Sequence, residues 1–549
     1  MAVVLGVNAV FHDPSAAIVV DGNIVAAAEE ERFSRRKHGK PAVPFSTWEL
    51  PEQAMMFCMR RAGVTVADLD AVAYSYDPNL AEPLGADPSA HKWEGLRTVY
   101  VRRAGRFLAA SLPGFDPERV RFVPHHLAHA ASAWGPAPFD SSAVMVLDGR
   151  GEATSYLAGV ARDGHCEVLV RQPLPHSLGL VYEELTEHLG FRRSSDEYKV
   201  MAMASYGRPA HLPAFRRLIQ TDCEGGFRTE PVNWSAFAPP GTGDDGFDER
   251  HADLASSVQT RLEEMILELA GWLHVRTGQR AVVLAGGVAL NCVANSRLFE
   301  DGPFDDVWVQ PAAGDAGTSL GAAVQVASDL GDVVRPMTTA ALGPEWSDEE
   351  LERILRQSAV PFERPADIGA AVADVLAADG IAAWFQGRSE FGPRALGHRS
   401  LLAHPGMAAN IERLNDVKGR EQFRPVAPMV KIEAAKDIFE GGPLPSPYML
   451  FIHRVRNGWP ARIPAVVHVD GTARAQTVDR VDDPLTHHLL CEFESRTGLP
   501  LLVNTSLNTA GRPMVDSPRD ALECFGSAPI GALALGPFLV RRTSLFASP

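Results

Sequence analysis

At 549 residues the chain is too long for one ordinary core and divides, at typical domain size, into two to four domains. With 46% hydrophobic and 22% charged residues it has the composition of a soluble globular protein. Its net charge of −16 (52 basic against 68 acidic side chains) opposes association with a long polyanion, the one basic run being Arg32 to His38. Cys58, Cys166, Cys223, Cys292, Cys491 and Cys524 never form a C-x-x-C pair, which argues against a disulfide framework or a cysteine zinc site and for a reducing compartment. The opening Met1-Ala-Val-Val-Leu-Gly has no basic leader and its apolar run breaks at Asn8 and His12. No run approaches the roughly 18 apolar residues of a membrane span, so the expectation is a cytoplasmic protein without nucleic-acid or membrane partners.

In chain order, Val3 to Asn8 reads as a strand, followed by a polar loop, a strand from Ala16, an Asp21-Gly22 turn and a returning strand. The pattern recurs from Ala143: a strand ending at Asp148, a polar loop, a strand over Ser155 to Ala161, an Asp163-Gly164 turn and Glu167-Val-Leu-Val. Two copies of this unit predict a duplicated actin-like ATPase fold, by analogy of architecture alone. Apolar residues at helical spacing (Leu262, Ile266, Leu267, Leu269, Ala270) predict a helix over Leu254 to Leu273. Two strands then run into glycine turns, Val282 to Asn291 and Val307 to Gly321, where free backbone N–H groups at a helix start favour phosphate; the alternative for Gly286-Gly287 is close packing of helix on strand. From Gly331 to Trp346 the period is lost, which predicts a linker. Beyond it, helices within 349–376 and a strand at Ile381 to Phe385 open a separate α/β unit. The expected domains are 1–345, with halves 1–140 and 141–345, and 346–549.

The sharpest chemical pattern is His125-His126-Leu-Ala-His129. His125 and His129 are four apart, so on a helix both imidazoles share one face and can reach one metal; surface or capped histidines are the alternative. Asp148, at a strand end, and Asp315, in a glycine turn before a helix, are candidate carboxylate ligands, with an N-cap as the other reading of Asp315. Two imidazoles and one or two carboxylates leave open positions suited to Fe(II), with Mn(II) or Zn(II) as alternatives, and such an ion can act as a Lewis acid on a carbonyl.

These residues lie in a set of separated motifs: HDPSAAIVVDG, EEERFSRRKHG, HHLAHAASA, GPRALGHRS, LNDVKGREQFRPVAP, DGTARAQTV and LVNTSLN. Together, in this order and over nearly the whole chain, they resemble the NodU/CmcH carbamoyltransferase family. The resemblance implies an N-terminal TsaD-like domain, a C-terminal YrdC-like domain, and O-carbamoyl transfer to a small natural product such as an antibiotic or a sugar. Carbamoyl phosphate and ATP with Mg2+ would give carbamoyl adenylate in the YrdC-like part. The carbamoyl group would then pass to an acceptor hydroxyl in the TsaD-like part.

The same resemblance implies roles by position. His125, His129, Asp148 and Asp315 would hold the metal, and His12 would take the proton of the acceptor hydroxyl, a role suited to a group titrating near neutrality. The other reading of His12 is a loop histidine bonded to Asp13. Lys37 would meet an adenylate phosphate; Gly286, Gly287 and Asn291 would line the nucleotide site. Arg394, Lys418, Arg424 and Arg474 would gather the anions of adenylate formation, with Asn504 and Ser506 bonding carbamoyl or phosphate. Pro14 follows Asp13 where a small residue is expected, which stiffens the loop. The competing functions are a threonylcarbamoyl-type tRNA-modifying enzyme, disfavoured by the charge, and a non-catalytic actin-like nucleotide-binding module. The acceptor is not legible; 78–117 and 208–251 are the candidate segments for shaping its pocket, and homodimerisation stays open.

Overall fold

A computed structural model describes residues 2–39, 49–81, 92–244 and 246–542. Residues 82–91 of the segment 78–117, and residue 245 of 208–251, lie outside the described residues. The chain divides into two compact units, 1–337 and 338–549, against the division at 345 expected above. Residues 340–344 are tied into the second unit: Phe391 N donates to Ala340 O (2.8 Å), Gly343 N to Ser389 O (2.9 Å) and Ser389 N to Pro344 O (2.9 Å).

The first unit contains β1 (Val3–Asn8), β2 (Ser15–Val20), β3 (Asn23–Glu29), β4 (Ala71–Tyr74), β5 (Val120–Phe122), β6 (Ser141–Leu147), β7 (Thr154–Arg162), β8 (His165–Pro173), a small hairpin of β9 (Ile219–Thr221) and β10 (Phe227–Thr229), β11 (Ala281–Ala285) and β12 (Asp306–Val309). Two five-stranded sheets have the orders β3-β2-β1-β4-β5 and β12-β11-β6-β7-β8. Read from their first strands these are one topology. The first strand pairs antiparallel with the second (Val3 opposite Val20; Ser141 opposite Arg162) and parallel with the fourth (Leu5 opposite Val72; Val144 opposite Val283). The repeat read in the sequence is therefore a structural duplication. Apolar runs such as VVLGVN and SSAVMVL form strands buried on both faces, because helices cover each sheet.

Helix Ala316–Asp329 is rich in Gly, Ala, Ser and Thr and packs on helix His125–Trp134 and on β1 and β2. A Cβ at Gly321 would lie 1.7 Å from the Ala128 carbonyl oxygen, so the two helix backbones touch there and only glycine fits. Ser15 Oγ bonds Ala316 O (2.7 Å) and Ser319 Oγ (2.9 Å), pinning the start of the helix. This crossing sets Asp315 against the histidine helix.

In the second unit, β13 (Ala382–Phe385), β14 (Arg399–Ala403), β15 (Ala427–Lys431), β19 (Gln476–Val478), β20 (Leu501–Ser506), β21 (Ala532–Leu535) and β22 (Phe538–Arg541) form one sheet, in the order β19-β15-β20-β14-β13-β21-β22. β16 (Phe439–Glu440), β17 (His453–Val455) and β18 (Thr472–Ala473) form a small second sheet. The core of this unit gathers Trp384, Phe385, Leu401, Leu502, Leu533 and Phe538 from the larger sheet. Among the described residues no helix is long and apolar enough to cross a membrane.

Candidate metal centre and anion site

Helix His125–Trp134 carries His125, His126 and His129 inward, all buried. Asp148 follows the last residue of β6, and its Oδ1 accepts from Gly287 N at 3.1 Å. That bond depends on the turn after β11: Gly286 has φ +91°, and a Cβ on it would lie 2.2 Å from Leu147 O. The turn thus lays its backbone directly on the end of β6. It also aims Asp148 Oδ2 at the imidazoles, 3.4 Å from His125 Nε2, 3.6 Å from His126 Nε2 and 3.8 Å from His129 Nε2. Asp315 Oδ1 lies 3.5 Å from His129 Nε2 and 3.7 Å from His125 Nε2. Asp315 makes no side-chain cap bond to its helix, so the N-cap reading gives way to one in which its carboxylate faces the histidines.

The donor atoms of His125, His129, Asp148 and Asp315 all lie within 4.8 Å of one another. Four ligands about 2.1 Å from a tetrahedral ion are separated by about 3.4 Å, close to the shortest separation here. Among the described residues the buried Nε2 atoms of His125, His126 and His129 have no hydrogen-bond partner. Each such orphan costs about 1–3 kcal/mol unless a ligand satisfies it, so the donor set fits a cation. His125 Nδ1 lies 3.3 Å from Ser75 O and its backbone N donates to Glu152 Oε1 at 2.8 Å, contacts that fix the ring from behind. Burial disfavours charge on His125, but the two carboxylates outweigh it and push its pKa up to about 10. Asp148, which burial would raise, is held well below the usual carboxylate range by the imidazoles. The pocket keeps both carboxylates ionised around positive charge.

In the second unit, Lys418 ends helix Asn410–Lys418 and is buried. Its Nζ donates to Ser506 Oγ (2.9 Å) and Asn508 Oδ1 (2.5 Å) at the end of β20. Asn504 Nδ2 donates to Ala395 O (3.1 Å), in the loop carrying Arg394, and to Gln476 Oε1 (2.8 Å), two residues beyond Arg474. Asn415 Nδ2 donates to Arg424 O at 3.2 Å, and Arg424 Nη1 pairs with Glu421 at 3.3 Å. Glu390 organises the Arg394 loop by accepting from Leu396 N (2.7 Å), His398 N (3.0 Å) and Arg399 N (3.1 Å). Burial first, with the Arg474 guanidinium adding to it, pushes His468 down to about 4 against the opposing Asp470. Hydrogen bonds from Asn415 and Asn504 thus tie the helix of Lys418 and the strand before Ser506 to the segments that carry Arg394, Arg424 and Arg474.

Profiles of the carbamoyltransferase N-terminus match residues 3–112 and 92–324, and a profile of the carbamoyltransferase C-terminus matches residues 373–542. The chain belongs to the carbamoyltransferase family. This carbamoyltransferase is 36% identical over 562 residues to the nodulation protein NolNO of Sinorhizobium fredii, covering 99% of its own length and 80% of that protein. It is 31% identical to nodulation protein U of the same organism, covering 93% and 95%. Among solved structures, HypF from T. kodakarensis aligns at 15% identity over 61% of this chain and 48% of that one, with a TM-score of 0.39.

The enzyme brings His125, His129, Asp148 and Asp315 together, and separately Lys418 with Ser506. Asn291 spends its side chain on structure: Oδ1 caps the next helix through Ala294 N (3.1 Å) and Nδ2 donates to Gln259 (2.8 Å). Lys37 lies in the short turn Lys37–Gly39. His12 bonds Asp13, Nδ1 to Oδ2 at 2.9 Å. Sequence reasoning passed over His126, because neighbours on a helix point about 100° apart; it reaches the same Asp148 because that carboxylate sits between the two directions. It also passed over Asn508, Glu390 and Ser75. Asn508 stood inside a recognised motif, whereas Glu390 and Ser75 gave no signal.

Proposed function

We propose that this carbamoyltransferase is an ATP-dependent O-carbamoyltransferase acting on a hydroxyl of a small natural product. The observation that carries the reading is the buried quartet of two imidazoles and two carboxylates with its orphaned nitrogens. The second unit, read as YrdC-like, forms carbamoyl adenylate in two steps: water takes the phosphoryl group of carbamoyl phosphate, releasing phosphate and carbamate, and a carbamate oxygen then attacks the α-phosphorus of ATP with Mg2+, whose bond to the pyrophosphate oxygen breaks as pyrophosphate leaves. Lys418 and Arg424 stabilise charge on the transferring phosphoryl group, Arg394 and Arg474 orient the polyphosphate, Asn504 Oδ1 accepts from the carbamoyl NH2, and the Ser506 hydroxyl bonds the carbamoyl group or a phosphate.

In the first unit, read as TsaD-like, Lys37 meets the adenylate phosphate, and Gly286 and Gly287 line the nucleotide site, with Asn291 fixing the start of the helix behind them. His125, His129, Asp148 and Asp315 would hold a transition metal, Fe2+ foremost with Mn2+ or Zn2+ as alternatives, which when bound supplies Lewis acidity toward the carbamoyl carbonyl. His12 accepts the proton of the acceptor hydroxyl as its oxygen attacks the carbamoyl carbon. The bond from that carbon to the phosphate oxygen then breaks, its electron pair leaving with AMP. Incubating the enzyme with ATP, carbamoyl phosphate and a panel of hydroxylated natural products, read by mass spectrometry, tests this. Gain of one carbamoyl group that depends on both cosubstrates is expected; transfer that proceeds equally without ATP would overturn the adenylate route.

A further inference from the structure

A second cluster of titratable side chains shares no residue with the quartet of His125, His129, Asp148 and Asp315. His12 Nδ1 lies 2.9 Å from Asp13 Oδ2, His38 Nδ1 lies 2.9 Å from Asp13 Oδ1, and His38 Nε2 lies 2.9 Å from Ser195 Oγ. The two imidazole rings stand 4.4 Å apart between centroids. The cluster is half-buried, with side-chain exposures of 30% for His12, 28% for Asp13 and 19% for His38, so one side remains open to a substrate.

Three segments distant in sequence are bent to make it. Phe11 (φ 37°), Asp13 (φ 46°), His38 (φ 61°) and Ser194 (φ 55°) all occupy the left-handed region that side-chain-bearing residues avoid. Such conformations persist where the surroundings over-determine them, and they concentrate at functional sites. Here Asn8 Nδ2 donates to both His12 O (2.8 Å) and Asp13 O (3.0 Å), His38 N donates to Glu31 Oε2 (2.7 Å), and Ser194 N donates to Glu197 Oε1 (2.6 Å).

The bond directions fix the proton positions. Burial works to raise the Asp13 pKa, but the two imidazoles outweigh it and hold the carboxyl well below the usual range. An ionised carboxylate only accepts, so each Nδ1 facing it is an N–H donor. In the neutral ring His38 Nε2 is then an acceptor, and the Ser195 hydroxyl donates to it. In its neutral form His12, with Nδ1–H donated to Asp13, carries its lone pair on Nε2.

We propose that Asp13, His38 and Ser195 form a positioning relay behind His12, in which the Asp13 carboxylate bridges both imidazoles and presents His12 Nε2 as the proton-accepting nitrogen. This rests on the reading of His12 as the base of the transfer step. When His12 Nε2 takes the acceptor's proton, Asp13 stabilises the imidazolium formed. His38, held by Ser195, prevents the carboxylate from turning away. The 2.9 Å contacts are hydrogen-bond lengths, each ring nitrogen having its own carboxylate oxygen, which favours a relay over the metal site that the same three residues could otherwise form.

The test compares Asp13→Asn, His38→Gln, Ser195→Ala and His12→Ala in carbamoyl transfer from supplied carbamoyl adenylate. It is joined to nitrogen NMR of the histidines, assigned by the His12→Ala spectrum. An asparagine amide in place of the carboxylate cannot hold both imidazoles in the Nδ1–H form. Asp13→Asn should therefore lower kcat by about 10²–10⁴-fold with little change in KM, as loss of an orienting carboxylate does elsewhere. His38→Gln should cost less and Ser195→Ala least. The His12 Nε2 resonance, unprotonated in the wild type, should change its protonation state in Asp13→Asn. If His12→Ala abolishes transfer while Asp13→Asn keeps the wild-type kcat and tautomer, the relay is wrong and His12 stands alone. If His12→Ala transfers normally, the base reading and the relay fall together. Two metal equivalents per wild-type chain, one of them lost in His38→Gln, would make the trio a metal site and overturn the relay.

Discussion

His129→Ala removes one of four donors whose atoms lie within 4.8 Å of one another, and it leaves the backbone of a well-buried helix unchanged. Four-ligand protein sites bind zinc with about 10–16 kcal/mol, or about 2.5–4 kcal/mol per ligand, so the loss corresponds to roughly 10²–10³-fold in metal affinity. The structure places the change near the upper end, since His129 Nε2 faces both Asp148 and Asp315 and truncation opens the face between them. The assay is elemental analysis of wild type and variant after dialysis against a chelator whose affinity falls between the two. His165→Ala, on an exposed hairpin end, serves as the control. Wild type and control should retain about one transition-metal ion per chain, and His129→Ala essentially none. Equal metal content in His129→Ala and wild type would refute the assignment of this quartet.

Gly321→Ala alters no ligand, yet its Cβ would meet Ala128 O at 1.7 Å and force the Asp315 helix off the histidine helix. Overpacking of this kind costs about 1–3 kcal/mol or more. Circular-dichroism melting should show a lower Tm, and elemental analysis should show reduced metal. Glu30, buried and accepting from Ala54 N (2.9 Å) and Gln53 Nε2 (3.1 Å), is pushed by burial from 4.5 to about 7. A folded pKa above the unfolded one means that its contribution is fully present below pH 4.5 and lost as pH rises through 7, about 3 kcal/mol in all. The difference in Tm between Glu30→Gln and wild type should therefore move in the variant's favour from pH 5 to pH 8; a pH-independent difference would contradict the burial argument.

The duplicated architecture was legible because its signals are local. Each Asp-Gly turn joins two apolar strands, and the same order of strand, polar loop and hairpin recurs after about 140 residues. The quartet was legible for a similar reason: His125 and His129 declare a shared helix face, and Asp148 and Asp315 end predictable strands and turns. What stayed hidden depends on contacts between distant segments. His38 sat in a basic run that reads as a solvated face, and Ser195 in a polar loop, yet folding brings them within hydrogen-bond distance of each other across 157 residues. Glu390 lies only four residues before Arg394, but its role comes from three backbone N–H groups that converge on it when the loop closes. The unit boundary fell earlier than composition suggested, because the irregular stretch at 340–344 takes its hydrogen bonds from the second unit.

The central claim is that activation and transfer are separate chemical steps served by different residues, and comparing the two half-reactions in two variants tests it most directly. Exchange of pyrophosphate into ATP that depends on carbamoyl phosphate reports adenylate formation; carbamoylation of an acceptor from supplied carbamoyl adenylate reports transfer. Lys418→Ala should abolish the exchange and retain transfer from the adenylate, whereas His129→Ala should retain the exchange and lose transfer. Because residues of one working unit are not additive, the pattern decides, not the size of each loss. Loss of pyrophosphate exchange in a folded His129→Ala enzyme, or failure of Lys418→Ala to use supplied carbamoyl adenylate, would contradict the division of labour.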